Sequence, residues 1–404
     1  MKILIITQHF WPEQFTINEV AKILSKENKI DVLTTKPNYP SGSFYKGYTF
    51  FSKSFEKYNK INVYRCPIIP RGNSSSISLL LNYSSFIFFS LLFILYFFFK
   101  KYDYIYIYQT TPVTTALPGI VLSKLKKIPL IIWVQDLWPD TVKATGHVKN
   151  KLIYNLIKFI SNKIYKSSDI ILTQSAALKE MVKKRYKNNF VYHLPNVINE
   201  APILKRNNNL KKKYNLNNST NFMFAGNVGT AQNIEFILKV AEKFKKKDKI
   251  KFLIVGSGSR LKELIKIKEK NELKNIIFFG HKKTKEMQKF FSLADYMLLV
   301  LKNKKIFSKI IPNKLVNYLY LGKPVICCIR GESSNIIKNN RCGFINKPDS
   351  IDDMKKTIYK AVNLNKKQIS RLGKNSKKTY FKNFSHQIFK KTLKKIIRNY
   401  EEKN

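Results

Sequence analysis

Two carboxylates flank a Trp-Pro step in the stretch WVQDLWPDTVKATG, which begins at the end of an apolar run at residues 129–134. They are Asp136 and Asp140. The apolar run predicts a buried strand, so Asp136 comes just past its carboxyl end, where open α/β sheets bind ligands. A carboxylate there can orient a substrate hydroxyl and accept its proton. The alternative is that both aspartates only cap a helix and close a turn.

The loop after the first predicted strand holds a further carboxylate, in the sequence HFWPE. We expect Glu13 to be a second catalytic residue beside Asp136. His9 lies in the same loop, and His147 follows the Asp136 turn. Either histidine is an alternative acid–base group.

A second set of residues suits the binding of an anionic ligand. In the stretch FAGNVGTAQN, Gly226 and Gly229 allow a ligand to approach the backbone, and Asn227 and Gln232 offer uncharged hydrogen bonds. Arg260 follows a glycine pair in VGSGSR and is within reach of a phosphate in such a turn. We expect all five residues to contact the ligand.

Two lysines, Lys309 and Lys314, flank Pro312 at the start of a predicted helix. Cations at a helix N-terminus destabilise the helix. A phosphate bound between them would offset that effect. The alternative, scattered lysines in a lysine-rich chain, applies more to Lys309 than to Lys314.

The elements that position these residues form two series of short apolar runs, separated by amphipathic helical stretches. Continuous apolar runs are typical of strands buried on both faces of a parallel sheet. The predicted strands are 3–6, 29–35, 102–108, 129–134 and 169–173, then 221–226, 251–256, 275–280, 295–300 and 323–329. The sequence therefore predicts two Rossmann-like, doubly wound α/β domains facing each other across a cleft.

The polar segment 199–219 separates the two series. We expect domains at 1–200 and 201–375, with residues 376–404 forming a helix that returns to the first domain. Membrane contact is the alternative for that helix.

Residues 77–99 are apolar all round, carry no charge and have the length of a membrane span. We expect a helix that lies in or against a membrane. A buried core helix and a true span are the alternatives. A span would divide one domain's strands between the two sides of the bilayer.

The chain has 75 basic and 25 acidic residues, a formal charge of +50. This charge indicates an anionic partner such as a membrane surface, or a codon bias that also enriches Ile, Asn, Phe and Tyr. The lysines are spread over every helix, which is not typical of nucleic-acid binding. The four cysteines lack metal-binding spacing, which indicates a reduced, cytosolic setting without a zinc site.

The sequence resembles the GT-B fold glycosyltransferases of family 4, above all the bacterial L-fucosamine (N-acetyl-L-fucosamine) transferases of O-antigen and capsule assembly. The resemblance covers nearly the whole chain. The motifs that carry it are HFWPE (9–13), KPNYPSGSFYKGY (36–48), VQDLWPDTVKATG (134–146), LPNVIN (194–199), GNVGTAQN (226–233) and PNKLVNYLYLGKPVI (312–326).

The resemblance implies retaining transfer of a sugar from a UDP-sugar to a polyprenyl-diphosphate-linked sugar, at the cytoplasmic face of the inner membrane. It implies no cofactor, metal or nucleic acid. A UDP-sugar 2-epimerase of the same architecture and a basic nucleic-acid-binding protein are the alternative functions.

The chain also departs from the family. Many members carry an Arg and a Lys on the donor diphosphate, at the places of Asn227 and Gln232. Many carry two glutamates at the places of Lys309 and Asn317. We expect Lys314, Arg260 and Lys309 to replace the lost cations, and Asn317 to hydrogen-bond the donor ribose.

Overall fold

The computed structural model describes residues 1–73, 75–146, 148, 150–186, 190–203 and 208–404. The chain forms two compact units. The first comprises Met1–Val197 and Phe389–Asn404, and the second comprises Ile198–Ile388. The chain thus returns to the first unit at Phe389, later than the expected residue 376.

Eight strands of the described part of the first unit form one sheet in the order β3-β4-β2-β1-β5-β6-β7-β8. Only β3 runs antiparallel to its neighbour. The strands are β1 (Lys2–Ile6), β2 (Lys29–Thr35), β3 (Phe55–Tyr58), β4 (Ile61–Cys66), β5 (Tyr104–Gln109), β6 (Leu130–Val134), β7 (Ile170–Thr173) and β8 (Val191–His193).

Helices cover both faces of this sheet. Those described before the second unit are α1 (Thr16–Leu24), α2 (Ser76–Phe98), α3 (Leu117–Lys126), α4 (Asp140–Thr145), α5 (Lys151–Lys166) and α6 (Ala176–Tyr186), with a 3-10 turn at Val113–Ala116. The chain steps from β1 to β2 in one direction and from β5 to β8 in the other. Because β-α-β crossovers are right-handed, α1 lies on one face and α2, α3 and α5 lie on the other.

The C-terminal helix α15 (His386–Glu401) completes the core on the α1 face. Phe389, Leu393 and Ile396 are buried there, and the Phe389 ring lies 5.8 Å from the ring of Trp133 in β6. The predicted packing of this helix on the first unit is confirmed.

The sheet of the second unit has six described strands, all parallel, in the order β11-β10-β9-β12-β13-β14. They are β9 (Thr220–Ala225), β10 (Ile250–Val255), β11 (Ile276–Gly280), β12 (Tyr296–Val300), β13 (Val325–Cys328) and β14 (Gly343–Ile345). The described helices are α7 (Asn208–Lys213), α8 (Ile234–Glu242), α9 (Leu261–Lys270), α10 (Thr284–Phe291), α11 (Asn313–Tyr320), α12 (Glu332–Asn339), α13 (Ile351–Val362) and α14 (Lys366–Asn383), with 3-10 turns at Thr230–Gln232 and Lys305–Lys309.

Both sheets are doubly wound, as predicted, and each has a point where the strand order reverses. In the first unit β1 is flanked by β2 and β5, and in the second β9 is flanked by β10 and β12. The loops after β1 and β9 therefore open at the carboxyl edge where such sheets bind ligands. The sequence prediction missed β3, β4, β8 and β14. Strands β3, β8 and β14 are short edge strands, and β4 alternates between buried and half-buried residues, so none of the four has a continuous apolar run.

Candidate active site

The loop after β9 brings together glycine, amide and ammonium groups in the second unit. Gly226 has a φ of 142°, which favours glycine, and its N–H donates to the Val255 carbonyl at 2.9 Å. A Cβ atom at this position would lie 3.3 Å from the Nζ atom of Lys314. The glycine therefore lets the ammonium group of Lys314 lie against the backbone.

Lys314 is the second residue of α11, and the two partners of its ammonium group described below are uncharged. It donates a hydrogen bond to the Gln232 side-chain oxygen, and its Nζ atom lies 3.8 Å from the centroid of the Phe224 ring. Among the described residues, no carboxylate lies within ion-pair distance of this group. Burial lowers the pKa of Lys314 to about 7. An anion at this place would restore the charged form.

Asn227 and Gly229 complete the loop. A Cβ atom at Gly229 would come within 2.9 Å of the Asn227 side-chain nitrogen, and one at Gly258 within 2.5 Å of its side-chain oxygen. The two glycines thus leave room for the Asn227 side chain. Five predicted residues share this cluster, which we call the β9-loop cluster: Gly226, Asn227, Gly229, Gln232 and Lys314.

Arg260 has partners that the sequence prediction did not include. Its guanidinium forms ion pairs with Glu235 of α8 and, at 2.7 Å, with Glu263 of α9. These two carboxylates balance the cation, so the structure gives Arg260 a role in joining two helices. Its predicted contact with a phosphate stays a prediction.

Lys309 and Asn317 lie before and within α11. Lys309 is the last residue of the 3-10 turn Lys305–Lys309. The Asn317 side-chain nitrogen donates to the Asn313 carbonyl at 3.2 Å. Asn317 follows Lys314 by three positions and so lies on the same side of α11. The donor-binding roles of Lys309 and Asn317 stay predictions.

In the first unit, Asp136 follows β6 at the carboxyl edge, as predicted. The Thr111 hydroxyl donates to its carboxylate at 3.1 Å, and the Gln109 side chain donates to its backbone oxygen at 3.0 Å. Burial raises the pKa of Asp136, and the Thr111 hydrogen bond opposes that rise. A carboxylate with a raised pKa is a better proton acceptor.

The Trp138 and Asp140 side chains fix the turn that carries Asp136. The Trp138 indole donates to the Thr111 hydroxyl at 3.3 Å, and its backbone N–H donates to the Tyr165 hydroxyl at 3.2 Å. Asp140 begins α4 and pairs with Arg185, with an Nη2–Oδ1 distance of 3.0 Å. The structure therefore gives the Asp140 carboxylate an ion pair with α6, and its side chain does not cap α4.

Glu13 is buried and uses both carboxylate oxygens. One oxygen accepts from the N–H groups of Asn38 at 2.6 Å and Tyr39 at 2.7 Å, and the other lies 2.7 Å from His9 Nδ1. The His9 ring stacks on Phe15 with centroids 4.7 Å apart. The geometry shows Glu13 contacting His9 and holding the loop after β2, which favours a positioning role. A catalytic role for Glu13 stays a prediction.

The sequence prediction missed Thr111, which contacts Asp136, Tyr83, which is affected by the Asp136 charge, and Arg71, which lies against Tyr83. The Arg71 guanidinium carbon lies 5.2 Å from the Tyr39 ring centroid and 6.0 Å from that of Tyr83. Burial raises the pKa of Tyr83, opposed by the charge of Arg71 and reinforced by that of Asp136. Thr111 could have been found from its place after a buried strand. Arg71 and Tyr83 required the tertiary structure. His147, the other predicted acid–base candidate, lies outside the described residues.

In the described ranges, no cluster of three or more His, Cys, Asp or Glu side chains could hold a metal ion.

Comparison with known proteins shows which proteins this chain is similar to. Residues 206–379 match the family of glycosyl transferases group 1. The "Uncharacterized glycosyltransferase MJ1069" of Methanocaldococcus jannaschii is 24% identical over 417 residues, which cover 98% of each protein. The "Putative colanic acid biosynthesis glycosyl transferase WcaI" of Escherichia coli is 22% identical, covering 80% of this chain and 82% of WcaI.

Among solved structures, Anabaena Alr3699/HepE in complex with UDP and glucose superposes with a TM-score of 0.72 at 13% identity, covering 98% of this chain and 100% of that one. The first unit and the second unit thus have the fold of GT-B glycosyltransferases. Residues 206–379 are similar to the group 1 glycosyl transferases, both relatives are named as glycosyltransferases, and the matches favour neither of the two alternative functions.

Proposed function

We propose that this enzyme transfers an N-acetylated deoxyhexosamine, similar to N-acetyl-L-fucosamine, from a UDP-sugar to a polyprenyl-diphosphate-linked sugar. The acceptor grows toward a surface polysaccharide such as O-antigen or capsule. The identity of the sugar is inferred from the resemblance of the sequence motifs to the fucosamine transferases. The similarity to a putative colanic acid biosynthesis glycosyl transferase supports a polysaccharide product. The complex of a protein of the same fold with UDP supports a UDP-sugar donor.

The observation that carries the proposal is the ammonium group of Lys314. It lies at the N-terminus of α11 beside a glycine loop, it has no carboxylate partner among the described residues, and its pKa is lowered to about 7 by burial. A donor diphosphate supplies the missing anion, and the positive end of the α11 dipole attracts the same phosphates. Asn227 and Gln232 add uncharged hydrogen bonds, and Asn317 contacts the ribose.

In the proposed reaction the bond between the sugar C1 and the diphosphate oxygen breaks, and UDP leaves with the electron pair. C1 forms a new bond to the acceptor oxygen, and Asp136 takes the hydroxyl proton. Lys314 and the α11 N-terminus stabilise the negative charge that develops on UDP. By resemblance to family 4, the configuration at C1 is retained. This scheme uses no cofactor and no bound metal.

The polyprenyl chain of the acceptor places the enzyme at the cytoplasmic face of the inner membrane. Helix α2 is the one described helix that is long and apolar enough for membrane insertion. We assign it to membrane attachment.

The test is incubation of the purified enzyme with radiolabelled UDP-sugars and membranes that carry lipid-linked sugars. Label should move into the lipid extract with one UDP-sugar, and Lys314→Met and Asp136→Asn should each slow that transfer at least about tenfold at low donor concentration. A matched Lys243→Met variant, an exposed lysine of the second unit, should transfer as the parent does. Transfer at the parental rate in both site variants, or epimerisation of a UDP-sugar without lipid, would contradict the proposal.

A further inference from the structure

Helices α2, α3 and α5 carry large apolar side chains that point away from the protein. The side chains with more than half of their surface exposed include Phe88, Leu92 and Leu95 on α2, Leu125 on α3, and Leu152 and Phe159 on α5. Helices that face water normally carry polar residues on their outer side. Soluble monomers also rarely expose an apolar patch of more than a few hundred Å².

These side chains form one surface. The three helices lie on the same face of the first sheet. Helix α2 contacts α3, and both α2 and α5 contact the Val113–Ala116 turn. We call the outer side of the three helices the α2–α3–α5 surface.

The charge of this surface has one sign. None of the three helices contains an aspartate or a glutamate. Their basic residues are Lys124 and Lys126 on α3 and Lys151, Lys158, Lys163 and Lys166 on α5. Apolar side chains with basic residues beside them match an anionic bilayer, where each lysine near the surface adds about 1 kcal/mol of attraction in general.

A groove extends the apolar surface along α2. A cavity of about 600 Å³ is lined by Ser54 and Phe55, by Tyr64 of β4, and by Leu92, Phe93 and Tyr96 of α2. Mobile acyl chains can enter such an open apolar groove, which favours lipid over a second protein surface.

Helix α2 is also tied to the first unit by buried polar groups. Gln8 donates to the Asn82 side chain at 2.7 Å, and Asn82 donates to the Ile69 carbonyl at 2.6 Å. The Ile69 N–H donates to the Ser85 hydroxyl at 3.0 Å. Crossing a bilayer would expose these groups to lipid, where each lost hydrogen bond is costly. One side of α2 must therefore stay on the protein.

We propose that the α2–α3–α5 surface lies flat on an anionic bilayer, with α2 and α5 in the plane of the interface. This deepens the membrane location in the proposed function and rests on it. Helix α5, which the sequence analysis did not assign, becomes a second membrane-binding element beside α2.

The test is sedimentation of the full chain with vesicles, without nucleotide. The vesicles are phosphatidylcholine alone or phosphatidylcholine mixed with phosphatidylglycerol. The parent should bind the mixed vesicles, and salt should weaken that binding. Leu152→Ser with Phe159→Ser should reduce the binding at least about tenfold. Both residues are exposed, so the fold should tolerate the change. The matched control is Phe381→Ser, an exposed phenylalanine of the second unit, which should bind like the parent.

Charge-reversal variants test the attraction of the basic residues to anionic lipid. Lys151→Glu with Lys158→Glu should abolish the preference for phosphatidylglycerol, whereas Lys243→Glu with Lys246→Glu, two exposed lysines of the second unit, should leave it unchanged. Parental vesicle binding by both α5 variants would overturn the proposal. So would a parent that dimerises through this surface, seen as a dimer by light scattering that the α5 variants lose. Binding of UDP-glucose, measured on the same preparations, shows separately whether the proposed donor site fails.

Discussion

The ammonium nitrogen of Lys314 lies 3.8 Å from the centroid of the Phe224 ring, at the carboxyl edge of the second sheet. Phe224 belongs to β9, and Lys314 belongs to the first turn of α11. The ring face attracts the cation but does not neutralise it. The pair therefore holds the lysine in a fixed position while leaving it able to bind an anion.

Replacing this ammonium group should weaken donor binding. Lys314→Met keeps most of the apolar contact with Phe224 and removes the charge. We expect an affinity for UDP-glucose about 10- to 100-fold lower, the effect of one charge-assisted hydrogen bond. Isothermal titration calorimetry near pH 6.5 measures it, with Lys243→Met as the control. Equal affinity in parent and Lys314→Met would exclude the lysine from the donor site.

The same pKa predicts a pH dependence of donor binding. The free enzyme has Lys314 with a pKa of about 7, and a bound diphosphate raises that pKa toward its ordinary value. Only the protonated form provides the charge, so affinity should fall as pH rises above about 7, by up to about tenfold per pH unit. UDP-glucose is the suitable probe, because its diphosphate has no ionisation in this range. The slope should vanish in Lys314→Met, and a parent affinity that is constant from about pH 6 to about pH 9 would contradict the assignment.

The buried charge should also destabilise the unliganded protein. The pKa of Lys314 falls from 10.5 to about 7 on folding, so the unfolded state binds more protons between these values. Its contribution to stability is therefore unfavourable below about pH 7 and fades as pH rises toward 10.5. Lys314→Met should raise the free energy of unfolding at about pH 6 by about 1–3 kcal/mol, and by little near pH 10. Urea denaturation at the two pH values measures the difference. A gain of equal size at both would point to packing instead of charge.

Sequence patterns predicted the buried strands and the loops that follow them, because continuous apolar runs mark strands of a parallel sheet. The β9-loop cluster could be found in this way, since glycines, amides and a lysine at strand and helix ends already suggest a ligand. The partners of the charged side chains could not be found in this way. Glu263 follows Arg260 by three residues at the start of α9, but Glu235 lies on α8, and only the packing of α8 against α9 brings Glu235 to the guanidinium.

The partners of Glu13 could not be predicted from the sequence for the same reason. A carboxylate in a loop after a strand is consistent with catalysis or with loop fixation. The sequence does not show that the N–H groups of Asn38 and Tyr39 point at it. The order of the strands in the sheet was the other property that could not be predicted from the sequence. Thr111 and Asp136 are in contact because β5 lies beside β6, which the apolar runs alone do not specify.

The contact between Thr111 and Asp136 predicts a shifted pH profile. The Thr111 hydroxyl lowers the pKa of Asp136 against the effect of burial. Thr111→Val removes that hydrogen bond, so the pKa of Asp136 rises further. Asp136 is then protonated, and cannot act as a base, up to a higher pH. The acidic limb of kcat/KM should move to higher pH, with activity recovering above it. Asp136→Asn should lower kcat by about 10²- to 10⁴-fold at every pH. A Thr111→Val profile that falls uniformly without moving would show a structural role alone.

Glu13 should respond differently to two substitutions. Glu13→Ala leaves the N–H groups of Asn38 and Tyr39 buried without an acceptor, which should lower the free energy of unfolding by about 2–4 kcal/mol. Glu13→Gln keeps an oxygen for those N–H groups but replaces the acceptor at His9 Nδ1 with an amide. It should therefore fold nearly as stably as the parent and lose activity, through misorientation of His9. Thermal denaturation and kcat, measured on both variants, separate the two roles. Full activity in Glu13→Gln would mean that the carboxylate serves only to hold the loop after β2.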